Sequence, residues 1–290
     1  MASAPFEYFA AGTFAEAIEA LGEHGDDAVI LAGGQSLVPM LNLRLVQPGI
    51  VIDINGVPND GPVADGGWLR LPALTRHAAI LSDPVVVGAA PMLVDAVRHV
   101  GNVRVRNRGT VGGSLAHADP TSEIGAAALC LGGEVVLTNA SGSRTVPVDE
   151  LFVSYLTTSI AAGELLTEVR LPVPNGRTGV SFGEMVRRTS DFAIVAVAAL
   201  VELEADAGTV KRVSVAVSGV SDRPRLADSS LLDELIGQQL PYAQLRTLGA
   251  AIAARFEPPD DVHASASYRL RLIEVLTARA LHQAMDRAQS

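Results

Sequence analysis

The 290-residue sequence contains one cysteine, Cys130, and one lysine, Lys211. A single cysteine excludes an internal disulfide and cannot supply the thiolates of an iron–sulfur cluster or a structural zinc ribbon, so any such centre must come from a partner. No segment approaches the roughly 18 uninterrupted apolar residues of a membrane-crossing helix. The residues Met1 to Tyr8 lack the basic-then-apolar order of a secretory leader, and the cytoplasm is the expected location. Positive charge is scarce: 32 Asp and Glu outweigh 22 Lys and Arg, for a net charge of −10. That balance argues against a nucleic-acid binder, because phosphate-backbone affinity needs a basic face. All basic residues except Lys211 are arginine, which together with abundant alanine and glycine reads as codon bias rather than function.

What is present is a large apolar fraction, 48% against 19% charged. A chain of this length buries roughly 75% of its unfolded surface, enough for a sizeable core in two or three subdomains. Thr13 with Glu16, followed by Phe14, Ala17, Ile18 and Leu21, has the cap and spacing of an amphipathic helix. Residues 28–32 read as a buried strand, 36–45 as a second helix and 50–54 as a second strand, a small α/β unit. A loop rich in Gly, Pro, Asn and Asp spans 55–67. A second α/β region follows, with a strand near 69–71, helices near 75–81 and 91–100, a helix opened by Asp119 and Pro120, and strands near 134–138 and 164–171. Pro172, Pro174, Asn175 and Gly176 mark the clearest boundary. Beyond it, 180–188, 193–203 and 210–217 read as a three-stranded meander, and 242–256 and 267–285 as helices, giving an α+β layer.

Two glycine-rich segments stand out: Ala32-Gly33-Gly34-Gln35-Ser36 and Thr110-Val111-Gly112-Gly113-Ser114. The first lies between an expected strand and helix, where missing side chains let backbone N–H groups approach an anion such as a diphosphate. A tight turn that binds nothing is the equally simple alternative. Neither segment is a G-x-G-x-x-G fingerprint or a P-loop. His117, Asp119 and Glu123 follow the second segment, but no further His or Cys stands at ligand spacing, so capping and hydrogen bonding to a ligand are favoured over a metal. Glu123 falls in a first helical turn, where a carboxylate can accept a hydrogen bond from a sugar-like hydroxyl. Arg98, Arg104, Arg106 and Arg108 form a basic run that is either a solvated loop or a docking surface for an acidic partner or a cofactor phosphate, and Arg187-Arg188 carries the same two readings. No G-x-S-x-G motif supports hydrolysis.

Four ordered motifs carry a family resemblance. They are Val29-Ile-Leu-Ala-Gly-Gly-Gln-Ser-Leu-Val-Pro-Met-Leu-Asn-Leu-Arg-Leu45, Leu74-Thr-Arg-His77, Arg106-Asn-Arg-Gly-Thr-Val-Gly-Gly-Ser-Leu-Ala-His-Ala-Asp-Pro120 and Asp191-Phe-Ala-Ile-Val195. In order and spacing they resemble the FAD-binding medium subunit of molybdenum hydroxylases, of which the carbon monoxide dehydrogenase medium subunit is one member and the xanthine dehydrogenase flavin domain a more distant one. The resemblance implies an α+β chain with a two-part FAD-binding fold of the vanillyl-alcohol oxidase (PCMH) type, residues 1–55 and 56–175, and a C-terminal α+β domain, 176–290. By that resemblance Ala32, Gly33, Gly34, Gln35, Ser36 and Leu37 would wrap the FAD diphosphate. Thr110, Gly112, Gly113 and Ser114 would form the second wall, with Glu123 near the ribityl or diphosphate region. Val100, Gly101 and the backbone of Leu165 or Leu166 would approach other portions of the cofactor, Phe192 would lie over the isoalloxazine, and Asp191 would fix that loop.

Three positions depart from the family pattern. Gln35 stands where some relatives carry His, Phe192 where some carry Tyr, and Glu184 in a neighbourhood where certain relatives have Lys near the flavin. The implied role is an electron-transfer flavoprotein subunit, with no catalytic or metal-binding residue of its own. Its partners would be an iron–sulfur small subunit with two [2Fe–2S] clusters and a molybdopterin large subunit, assembled as a dimer of heterotrimers. The rival readings are a free-standing FAD-dependent oxidoreductase acting directly on a small metabolite, and a non-enzymatic flavin-binding or assembly protein.

Overall fold

The computed structural model describes residues 3–205, 208–239 and 241–290. In the first region β1 (Glu7–Ala10), α1 (Phe14–His24), β2 (Ala28–Leu31), α2 (Leu37–Asn42) and β3 (Ile50–Asp53) follow one another. The strands pair in parallel in the order β1-β3-β2. α1 starts where it does because the Thr13 hydroxyl accepts the Glu16 N–H at 3.1 Å while the Glu16 carboxylate accepts the Gly12 N–H at 2.8 Å. Its buried face, Ala17, Ile18 and Leu21, packs with Ile50, Ile52 and Ile54. α2 is shorter than its apolar spacing suggests. It stops at Asn42, since Arg44 takes a left-handed backbone with φ 58° and the Leu45 N–H turns back to the Met40 carbonyl at 2.9 Å.

The second region contains β4 (Val63–Asp65), β5 (Trp68–Pro72), α3 (His77–Ile80), α4 (Pro84–Ala89), α5 (Pro91–His99), α6 (Val103–Arg108), α7 (Val111–His117) and α8 (Glu123–Leu131). It continues through β6 (Glu134–Asn139), β7 (Gly142–Pro147), α9 (Val148–Leu151), β8 (Phe152–Ser154), β9 (Thr157–Thr158) and β10 (Leu165–Pro172). Five strands form an antiparallel sheet in the order β4-β5-β10-β6-β7. The helix expected to open at Asp119 and Pro120 instead opens at Glu123. Ser122 caps it by accepting the Gly125 N–H at 3.0 Å, whereas Asp119 closes the turn before it, accepting the Thr121 N–H at 2.8 Å and the Thr121 hydroxyl at 2.6 Å.

The third region consists of β11 (Thr178–Met185), β12 (Val195–Leu203), β13 (Val210–Ser218), β14 (Arg225–Leu226), α10 (Ser229–Asp233), α11 (Tyr242–Ala253) and α12 (Ala266–Gln289). Its antiparallel sheet has the order β11-β12-β13-β14. The expected three strands gain a fourth, only two residues long, paired to the edge of β13. One face of this sheet packs under α11 and α12, with Val195, Val197, Val215 and Val217 against Leu245, Ile252, Ile273 and Leu281. The other face carries Ala196, Ala198 and Ala216, and these small side chains let α8, buried from Ile124 to Leu131, lie in one continuous core with both sheets. The described residues include no helix long and apolar enough to cross a membrane.

Candidate cofactor cleft

The two glycine segments, 78 residues apart in sequence between Ala32 and Thr110, border one cleft of about 560 Å³. The first follows the C-terminal end of β2 and the second opens α7. Glycine is required because backbone meets backbone: a methyl group at Gly33 would strike the carbonyl of Arg108 and come within 2.8 Å of Gly109 Cα, and one at Gly112 would lie 2.6 Å from Ala73 Cβ. Gly34 also takes a left-handed φ of 72°. Among the described residues, the N–H groups of Gly34, Gln35, Ser36 and Leu37 have no backbone hydrogen-bond partner. Gln35 folds over the turn, its Nε2 donating to the Gly33 carbonyl at 3.0 Å. With only six residues α2 contributes little dipole, so the electropositive character of this wall resides in those free N–H groups.

On the facing wall, the Thr110 hydroxyl accepts the Gly113 N–H at 3.1 Å and caps α7. Ser114 Oγ lies 3.2 Å from Nε2 of His77, a buried side chain whose Nδ1 has no hydrogen-bond partner among the described residues. Burial pulls the His77 pKa down to about 4, which leaves the ring neutral near pH 7. Val100 and Gly101 continue the wall, and both of their carbonyls accept Arg106 Nη1 at 2.9 Å. The basic run is thus divided. Arg106 is used inward, Arg98 pairs with Asp95 at 3.0 Å, and Arg104 and Arg108 are exposed.

Leu165 and Leu166 enter the cleft at the start of β10, next to Glu164, which Arg144 grips through two hydrogen bonds of 2.7 Å. Asp191 and Phe192 come from the loop between β11 and β12. The Asp191 carboxylate accepts the Phe192 N–H at 3.1 Å, and the Phe192 ring is 73% exposed. Glu123, in the first turn of α8, faces the cleft from the side. Burial first, and then the nearby Glu184 and Asp119 carboxylates, push its pKa up to about 7.

The structure therefore brings Ala32, Gly33, Gly34, Gln35, Ser36, Leu37, Val100, Gly101, Thr110, Gly112, Gly113, Ser114, Glu123, Leu165, Leu166, Asp191 and Phe192 to one cleft. Glu184 is not on its lining. Its carboxylate is 5% exposed and sits 3.2 Å from His99 Nδ1, because β11 packs against α5. That pairing raises the His99 pKa. His117 and Asp119, which the sequence marks for capping or hydrogen bonding to a ligand, also line the cleft, as do His77, Ile160 and Glu164, which were not singled out as site residues. His77 had a signal in the Leu74–His77 motif. Glu164 had none, since its placement depends on an arginine 20 residues earlier.

Comparison with known proteins agrees with this geometry. Residues 4–174 match the family model described as FAD binding domain in molybdopterin dehydrogenase, and residues 180–284 match CO dehydrogenase flavoprotein C-terminal domain. The chain is an FAD-binding oxidoreductase subunit. It belongs to the FAD-binding medium subunit family of the molybdenum hydroxylases. Among its relatives is the 6-hydroxypseudooxynicotine dehydrogenase complex subunit alpha of Paenarthrobacter nicotinovorans, 36% identical over 98% of this chain and 96% of that protein. Another is the glyceraldehyde dehydrogenase medium chain of Sulfolobus acidocaldarius, 34% identical over 96% and 98%. Carbon monoxide dehydrogenase from Hydrogenophaga pseudoflava superimposes with a TM-score of 0.94 at 32% identity, covering 99% of each chain.

Proposed function

We propose that this chain is the electron-transfer subunit of a cytoplasmic molybdenum hydroxylase complex, with FAD held across the cleft between the two glycine segments. The observation that carries the reading is the row of N–H donors from Gly34 to Leu37, unpaired among the described residues, beside Gly33 and facing a second segment whose Gly112, like Gly33, leaves no room for a side chain. Such a cradle fits a diphosphate: it offers donors without bulk and without a competing carboxylate on the turn. In this reading Ala32 to Leu37 hold the diphosphate and Thr110, Gly112, Gly113 and Ser114 support the opposite side. Glu123, with a pKa near neutrality, exchanges a hydrogen bond with a ribityl hydroxyl. Val100, Gly101, Leu165 and Leu166 enclose the rest of the cofactor, and Asp191 fixes the loop that presents Phe192. Residues 1–55 and 56–175 form the two parts of the FAD-binding fold and 176–290 the C-terminal domain.

Bound FAD would supply the redox chemistry, storing electrons that arrive from one partner and leave to another. The protein's part is to bind, orient and shield it. Neutral His77, held by Ser114, keeps a fixed positive charge out of the wall. The electrons would come from the [2Fe–2S] clusters of a small subunit and, before that, from a molybdopterin large subunit where substrate is oxidised. The lone cysteine fits this division, since the chain cannot ligate the clusters itself. An external acceptor would take the electrons, and the assembly would be a dimer of heterotrimers.

Purification of the chain from its native host tests the proposal. The expected result is a flavin spectrum overlaid by iron–sulfur absorption, two further chains on a gel, and flavin bleaching when substrate of the complex is added. Flavin on a solitary chain that turns over a small metabolite would contradict it and support a free-standing oxidoreductase.

A further inference from the structure

The first glycine segment leaves β2 and the second opens α7, and among the described residues no backbone hydrogen bond joins residues 31–37 to residues 106–114. They nevertheless touch, at Gly33 against Arg108 and Gly109. What ties them is a chain of side-chain hydrogen bonds behind the cleft. Asn55 Nδ2 donates to the Ala32 carbonyl at 2.6 Å, and Asn55 Oδ1 accepts from Arg76 Nη2 at 2.6 Å. Arg76 Nη1 in turn donates to the Arg108 carbonyl. Neither Asn55 nor Arg76 lines the cleft.

Each end of this chain is rigidly mounted. Asp53 Oδ1 accepts both the Asn55 N–H at 2.8 Å and Asn55 Nδ2 at 2.6 Å, and Asp53 Oδ2 accepts the Tyr8 hydroxyl at 2.7 Å, so the Asn55 amide can point only one way. Arg76 is bridged to Thr110, and its neighbours are pinned by His77 N–H to the Gly109 carbonyl and Val111 N–H to the Thr75 carbonyl, both 3.0 Å. One residue is therefore fixed to the first segment and the other to the second. A planar guanidinium is the group that can donate in two fixed directions at once and hold such a span.

We propose that Asn55 and Arg76 form a latch that sets the spacing of the two glycine segments, and are positioning residues that make the cleft select a flavin carrying a diphosphate over one without it. The inference rests on the FAD reading above. A ligand that must engage both segments, such as FAD, depends on the latch. Riboflavin, which has no diphosphate to place on Gly34 to Leu37, does not.

The test uses the full flavin-free chain and measures dissociation constants for FAD and riboflavin, together with the melting temperature. In Asn55→Ala and Arg76→Met the FAD constant is expected to rise about 10- to 100-fold, with the riboflavin constant within threefold of wild type and the melting temperature within a few degrees. Arg76→Lys, which keeps the charge but loses the fork, is expected to behave as Arg76→Met. The latch is overturned if FAD affinity is unchanged, if both ligands weaken together, or if Arg76→Lys restores full FAD affinity. A wild-type chain that binds no FAD at all would instead contradict the functional reading.

Discussion

Gly179 and Gly33 both stand where a methyl group would strike a backbone carbonyl, that of Ala284 in one case and of Arg108 in the other. In the C-terminal layer the closeness is spent on packing: α12 lies flush on β11 at Gly179, and the sheet beneath it is closed by Val195, Val197, Ile273 and Leu281. In the N-terminal half the same device brings two loops together and then leaves four N–H groups of the first without backbone partners among the described residues. Glycine-enabled approach that only seats a helix on a sheet is architecture. With donors left over at a cleft, it is a binding site, because unpaired backbone groups carry a cost that a ligand removes.

Paired substitutions break or sharpen that contrast. Gly33→Ala should force the two segments apart and weaken FAD binding more than 100-fold, while the melting temperature of the flavin-free chain moves little. Gly179→Ala should do the reverse, costing about 2–3 kcal/mol through overpacking against α12 and leaving FAD affinity of the folded protein intact. Equal effects of the two on melting and on FAD would erase the distinction. Arg269→Met should cost about 3 kcal/mol in chemical denaturation. This buried arginine donates to the carbonyls of Ile194 at 2.8 Å and Gly219 at 2.7 Å and to Asp261 at 2.7 Å, and losing it strands buried acceptors.

Glu123 supplies a pH-dependent test on the cleft side. Its folded pKa of about 7 lies above the ordinary 4.5, so between those values the folded flavin-free chain retains a proton that the unfolded chain has released. Stability therefore falls as pH rises from about 4.5 to 7 and stays lower above that. Glu123→Gln should remove this fall, gaining roughly 1–3 kcal/mol over wild type at pH 8 relative to pH 4.5. His77 runs the other way, losing stability as pH falls from 6.5 toward 4, but it is common to both proteins and cancels in the difference. A pH-independent difference in denaturation would show that Glu123 is not held protonated. The smallest expected change is in Phe192→Ala, within about 0.5 kcal/mol in stability because the ring is exposed, yet with an altered visible band of bound flavin.

The parts of this fold that were legible in sequence are those with a strong local cause. Thr13 and Glu16 announce α1, and alternating Val213, Val215 and Val217 announce β13. The glycine segments were legible as turns open to an anion, though not as places where one backbone presses on another. Elsewhere the deciding cause is remote or local signals compete. Ser122 and Asp119 are equally good caps, and their competition is settled by the tight turn at Thr121. Arg44 adopts a positive φ that its residue type does not signal, cutting α2 short. Glu184 was placed beside the cleft by resemblance alone, and only the packing of α5 on β11 reveals that its carboxylate is committed to His99. The two-residue β14 is too short for any periodicity to register.

The most direct measurement is a crystal structure of the chain with FAD bound. Diphosphate oxygens are expected within about 3 Å of the N–H groups of Gly34 to Leu37, with the Gly33–Arg108 contact preserved. FAD bound elsewhere, or bound in the cleft with those N–H groups still unpaired, would contradict that placement.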